Sequence, residues 1–229
     1  MYLFVIQHQI MKIKHNINKK IVKKSKLNLN YKKLCAFDRK CFTHKDKTNE
    51  IFCKMIKNYK NNNFNNILCL DSSLTKTSNM LIQENLTTKE NIILIEANKK
   101  NHKKHISNGF NSILGSCNNV LGEYYFNKFD GIYLDAIGTV ETIGELVFDT
   151  LKNNLTNDKC VIGYTFVKRG RIKGSKFEIS YNEFMKKFNL LLNKYRYKLI
   201  DSKSYSYGSP KTGQANMFSE FIYVEKNNL

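Results

Sequence analysis

Proline occurs once in the 229 residues, at Pro210, and the 11 glycines are scattered, so no Pro/Gly-rich linker divides the chain. A chain of this length accommodates one sizeable core, or one α/β domain with a short appendage. The six cysteines, Cys35, Cys41, Cys53, Cys69, Cys117 and Cys160, form no CxxC pair and sit mostly inside apolar runs. That excludes a small secreted disulfide scaffold and points to reduced thiols inside a cell, in cytoplasm or nucleus, with an organelle left open. Cys35, Cys41 and His44, and the pair His102 and His105 on one helical face, lack the second paired half of a zinc site, so no metal is expected. No apolar run approaches the ~20 residues that cross a bilayer, and the opening MYLFVIQHQIM has neither a basic n-region nor a long h-region. A soluble protein with no membrane partner is expected.

Acidic residues are the other shortage. The chain holds 38 Lys and Arg against 19 Asp and Glu, a formal charge of +19, and no acid precedes Asp38. A field of that sign draws phosphates, so nucleic acid is the first partner to consider. Lysine is undiluted in KIKHNINKKIVKKSK at 12–26, so residues 1–47 read as a basic extension, either solvated or in contact with nucleic acid, ahead of a domain at 48–229.

Within that domain apolar runs alternate with helical patterns. TNEIFCKMIKNY (48–59) spaces Ile51, Met55 and Tyr59 as an amphipathic helix, and NILCLD (66–71) reads as a buried strand. The further strand-like runs are 91–98, 110–116, 129–138 and 159–169, with helices at 73–86, 98–106, 119–127, 140–154 and 180–195. Ser180 with Glu183 three residues on has the form of a capping box. The chain then finishes with two β runs, 197–207 and 217–226, around a polar turn. The alternation predicts an α/β fold, a doubly wound, mostly parallel seven-stranded sheet with helices on both faces and a C-terminal antiparallel hairpin.

Acids end three of the strands: Asp71, Glu96 and Asp135. Ligands of open α/β sheets bind beyond the carboxyl ends of the strands, so these side chains converge on one rim. The turn after the first strand, LDSSLTKTSN (70–79), has hydroxyls where a nucleotide-binding turn normally has glycines. Each acid also suits a second role, capping the helix that follows it.

This order of elements, with acids ending strands one, two and four, resembles the class I, Rossmann-like S-adenosylmethionine-dependent methyltransferases over about residues 48–226. The resemblance implies S-adenosyl-L-methionine as cofactor. It places the cofactor against Asp71, Ser72, Ser73 and Thr75 of the turn, Glu96 and Ala97 at the ribose, and Asp135 near the transferred methyl. LDAIGT is also similar to the Leu-Asp-X-X-Gly segment of certain tRNA guanine N2-methyltransferases. The RNA ribose 2′-O-methyltransferases carry a Lys–Asp–Lys–Glu tetrad, and similarity to them makes Asp135, Lys168 and Glu220 candidate catalytic residues, with Lys54 or Lys57 as the first lysine. KRGRIKG (168–174) offers Lys168, Arg169, Arg171 and Lys173 to phosphates, and Tyr164, Tyr205 and Tyr207 are aromatic candidates for stacking a base. The resulting expectation is a methyltransferase acting on nucleic acid, RNA ahead of DNA. A protein or small-molecule methyltransferase, and a non-catalytic nucleic-acid-binding module on the same fold, are the alternatives.

Overall fold

The computed structural model describes residues 42–59, 65–123, 128–136, 138–168, 175–208 and 216–227. The basic run at 12–26, Cys35 and Cys41, and the phosphate candidates Arg169, Arg171 and Lys173 lie outside them.

The elements follow in the order α1 (Phe42–Tyr59), β1 (Ile67–Cys69), α2 (Lys76–Gln83), β2 (Ile92–Glu96), α3 (Lys99–Ser107), β3 (Asn111–Leu114), α4 (Cys117–Glu123), β4 (Phe129–Leu134), α5 (Val140–Lys152), β5 (Thr156–Val167), α6 (Ser175–Lys194), β6 (Tyr197–Tyr207) and β7 (Met217–Lys226). The seven strands form one sheet in the order β3-β2-β1-β4-β5-β7-β6. The β1–β2, β1–β4, β2–β3 and β4–β5 pairs are parallel, and β7 runs antiparallel between β5 and β6. This is the expected doubly wound sheet with its terminal hairpin. Among the described residues no helix is long and apolar enough to cross a membrane.

The central strands are apolar on both faces because helices cover both. One face carries Leu68, Ile132, Leu134, Ile162, Tyr164 and Phe166, packed under Val147 of α5 and Phe184 and Phe188 of α6. The other carries Ile67, Cys69, Leu94 and Tyr133 under Phe52 and Ile56 of α1 and Leu81 of α2. Two glycines make room on this second face, Gly131 for α1 and Gly163 for the Phe221 ring of β7. A Cβ on Gly131 would lie 2.7 Å from Ile56 Cδ1, and one on Gly163 would lie 2.7 Å from the Phe221 ring. The space they leave holds a buried aromatic group, with Phe52 5.0 Å from Tyr133 and 6.1 Å from Phe221 between ring centroids.

Ser180 does not cap a helix. Helix α6 starts at Ser175, so Ser180 lies inside it and its hydroxyl donates to Glu141 Oε1 at 2.8 Å rather than capping. Tyr164 is likewise not a stacking platform: it is fully buried and donates to Glu220 Oε2 at 2.6 Å.

Candidate functional site

Strand register sets the site. Cys69 pairs with Leu94 of β2 and with Tyr133 of β4, so Glu96, Asp71 and Asp135, each two residues further on, stand at one level. Side chains two apart share a face, and Cys69, Leu94 and Tyr133 all belong to the α1 and α2 side. With strands spaced about 4.8 Å apart, the three carboxylates form a row roughly 10 Å long at the carboxyl edge of β2-β1-β4. The order of the sheet reverses between β1 and β4, so the row crosses the switch point where open α/β sheets take their ligands.

Asp71 is buried and holds the turn that follows it. Its Oδ2 accepts from the backbone N–H and the hydroxyl of Ser78, both at 2.9 Å, and Oδ1 accepts from the Ser72 N–H. Burial raises its carboxyl above the usual range, while the Ser78 donors and the Lys45 charge pull it back. Ser72 Oγ accepts from the Leu74 N–H at 3.3 Å, and Ser73 is half-buried. Thr75 occupies the N-cap position of α2 with φ 48°, the left-handed conformation that glycine supplies at little cost. The turn thus keeps a glycine-like backbone without the glycine. Thr77 Oγ1 donates to Asn49 Oδ1 and Lys76 to Asp46, which ties the turn to α1.

Glu96 ends β2 with both oxygens facing α3. Oε1 accepts from the Asn98 N–H at 2.6 Å, and Oε2 accepts from Asn101 Nδ2 at 3.3 Å. Its side chain keeps 14% exposure. Asn98 is the N-cap of α3, accepting from the N–H groups of Lys100 and Asn101, and Ala97 beside it is exposed.

Asp135 pairs with Lys45 Nζ at 2.7 Å, with side-chain exposures of 11% and 26%. Lys45 comes from the first turns of α1. The lysine beside Asp135 is Lys45 and neither Lys54 nor Lys57: Lys54 is exposed, and Lys57 reaches Glu84 at 3.6 Å. The signal was present in the sequence, because Lys45, Asn49, Phe52 and Ile56 recur at helical spacing on one face. His44, also missed, stacks on Tyr207 with centroids 5.4 Å apart and lies 3.0 Å from the Tyr205 hydroxyl through Nδ1. Tyr205 and Tyr207 stack at 5.7 Å and are half-buried, on the same face as Lys45.

The structure does not gather Lys168 and Glu220 with Asp135. Along β7, Phe221 and Tyr223 belong to the α1 face and Ile222 and Val224 to the other, which is the face Glu220 takes. There Glu220 is buried and accepts from Tyr164 and Tyr181 through one oxygen, and burial raises its carboxyl. Lys168 lies over the rings of Phe177 and Phe218, 5.1 and 5.2 Å from their centroids, and donates to Ser206 Oγ. The α-helical side of that face also carries a cavity of about 220 Å³ among Val140, Val167, Phe177 and Ile179. Among the described residues no group of three or more His, Cys, Asp and Glu is arranged to hold a metal ion.

No protein-family model and no curated protein sequence matches the chain. Solved structures do. A protein of Haemophilus influenzae assigned as a methylase is similar at 12% identity and a TM-score of 0.52, over 80% of this chain and 98% of that one. The YhhF protein of Escherichia coli, assigned as a methyltransferase, is similar at 10% identity and a TM-score of 0.50, over 80% of this chain and 88% of that one. The shared property is the fold, the Rossmann-like methyltransferase fold.

Proposed function

We propose that the chain is an S-adenosyl-L-methionine-dependent methyltransferase acting on nucleic acid, with RNA as the substrate. The row of Glu96, Asp71 and Asp135 at the switch point carries this reading. Its chemistry fits the cofactor in order along the row. Glu96 has outward lone pairs for the two ribose hydroxyls, and the turn held by Asp71 offers backbone and hydroxyl groups of Ser72, Ser73 and Thr75 to the amino-acid end. Asp135 stands at the far end, where the methyl would be delivered. When bound, the cofactor supplies an electrophilic methyl group. The residues of this chain then orient the nucleophile and take up its proton. Asp135 is the acceptor within reach of that edge, and Lys45 holds its carboxylate in place.

RNA as substrate is supported by the formal charge of +19 and by the His44, Tyr205 and Tyr207 rings on the face of Asp135, where an unpaired base has an aromatic surface to stack on. Arg169, Arg171 and Lys173, with Lys168, supply phosphate contacts in this reading. Methyl transfer from tritium-labelled S-adenosylmethionine to separate pools of RNA, DNA and protein tests it. Label in RNA is expected; label confined to protein or small molecules would establish the alternative methyltransferase. RNA binding without label in any pool would establish a non-catalytic binding module, a reading favoured by the glycine-free turn.

A further inference from the structure

His105 is fully buried, and neither of its ring nitrogens has a hydrogen-bond partner among the described residues. A buried imidazole without a partner is costly and calls for a reason. Its Nε2 lies 3.7 Å from Glu96 Oε2, just beyond hydrogen-bond length. Asn101 and His105 lie four residues apart on one face of α3 and both turn towards the Glu96 carboxylate, while the N-cap Asn98 reaches it through its backbone N–H. Asn98 holds Oε1 at 2.6 Å, and Asn101 holds Oε2 only loosely at 3.3 Å. The neighbouring His102 is turned away, its Nδ1 2.9 Å from Ser112 Oγ.

We propose that His105 is a positioning residue that fixes Glu96 for two-pronged recognition of a vicinal diol, the ribose of an adenosine-containing ligand. The imidazole donates its Nε2–H to Oε2 from behind, as the Asn98 N–H does to Oε1. Both oxygens are then held in one plane, with their outward lone pairs free to accept from adjacent hydroxyls. Without His105, Oε2 keeps only the long Asn101 contact, and the carboxylate rotates. The hydrogen bond tightens when ligand fills the outer side, since such contacts commonly shorten in the complex. This role rests on the cofactor reading given above.

The test is calorimetric titration of the full chain with S-adenosylhomocysteine and with its 2′-deoxy counterpart. The native chain is expected to prefer the ribose form. His105→Ala should bind S-adenosylhomocysteine about tenfold more weakly and lose most of that preference, since a hydrogen bond to a charged group has about that effect. His105→Gln, whose amide N–H reaches Glu96, should keep the preference, whereas His105→Asn, polar but too short, should lose it. These two variants retain a polar side chain and carry the comparison if the alanine variant fails to fold. Equal weakening of both ligands in the alanine and asparagine variants, or a preference undiminished in them, overturns the role of His105 alone. A native chain that binds S-adenosylhomocysteine without preferring ribose also overturns it, and one that binds neither ligand overturns the cofactor reading beneath it.

Discussion

Lys45→Met removes the cation 2.7 Å from Asp135 while keeping most of the side-chain volume. At an effective dielectric of about 20, that separation corresponds to a gross attraction of about 6 kcal/mol. Desolvation of a carboxylate that is only 11% exposed, and the ordering of a lysine side chain that is 26% exposed, offset most of it. The expected net coupling is about 2 kcal/mol, larger than for a surface pair. Urea unfolding of Lys45→Met, Asp135→Asn and the double variant measures that coupling directly. The lysine variant should lose about 2 to 3 kcal/mol, because it leaves a carboxylate uncompensated in a site shared with Asp71. Adding Asp135→Asn should recover most of the loss. The pH dependence follows from Asp71, whose carboxyl burial already raises and Lys45 helps to lower. A raised carboxyl binds more protons in the folded state, so its contribution to stability falls as pH rises from the ordinary carboxylate range through the folded value. Without Lys45 that folded value rises further. The deficit of the variant is therefore smallest in acid and widens towards neutral pH. Additive effects of the two substitutions, or a deficit that grows in acid, would refute the placement of Lys45 between the two carboxylates.

Three more outcomes follow from the geometry. At Thr75, glycine should be less destabilising than alanine by about 1 kcal/mol, the reverse of the order inside a helix, because alanine keeps the left-handed strain and still loses the hydroxyl; thermal unfolding of the two variants decides it. Glu220→Gln should leave S-adenosylhomocysteine binding unchanged, since the residue lies on the face opposite Asp135, and should flatten the fall in stability that a raised carboxyl causes as pH increases above its ordinary value. Phe52→Ala empties the centre of the Tyr133 and Phe221 group and should cost about 3 to 5 kcal/mol in chemical denaturation.

Most of the architecture is legible in the chain because strands covered on both faces must be apolar throughout, and their ends are marked where the apolarity stops. Asp71, Glu96 and Asp135 are such stops, and parallel register does the rest, since equal offsets from paired residues bring them to one level. Register was also the obstacle elsewhere. MFSEFIYVEK is apolar on both faces, so nothing in it says which face Glu220 takes, and the answer came from its pairing with Tyr164. Lys45 shares the helical spacing of Asn49, Phe52 and Ile56, but THKDK has the composition of a polar lead-in, and its helicity depends on packing against the sheet and on contacts such as Thr77 with Asn49 and Lys76 with Asp46. The turn at 70–79 shows the same limit in another form. Glycine's backbone conformation survives there in Thr75, which no composition rule announces.

The central claim is that the acidic row holds S-adenosylmethionine, and titration of the full chain with that compound by isothermal calorimetry tests it most directly. One molecule bound per chain is expected, with Glu96→Ala weakening affinity strongly and Asp135→Ala leaving it largely intact while lowering methyl transfer. No heat of binding at millimolar ligand, or full affinity in the Glu96 variant, would contradict it.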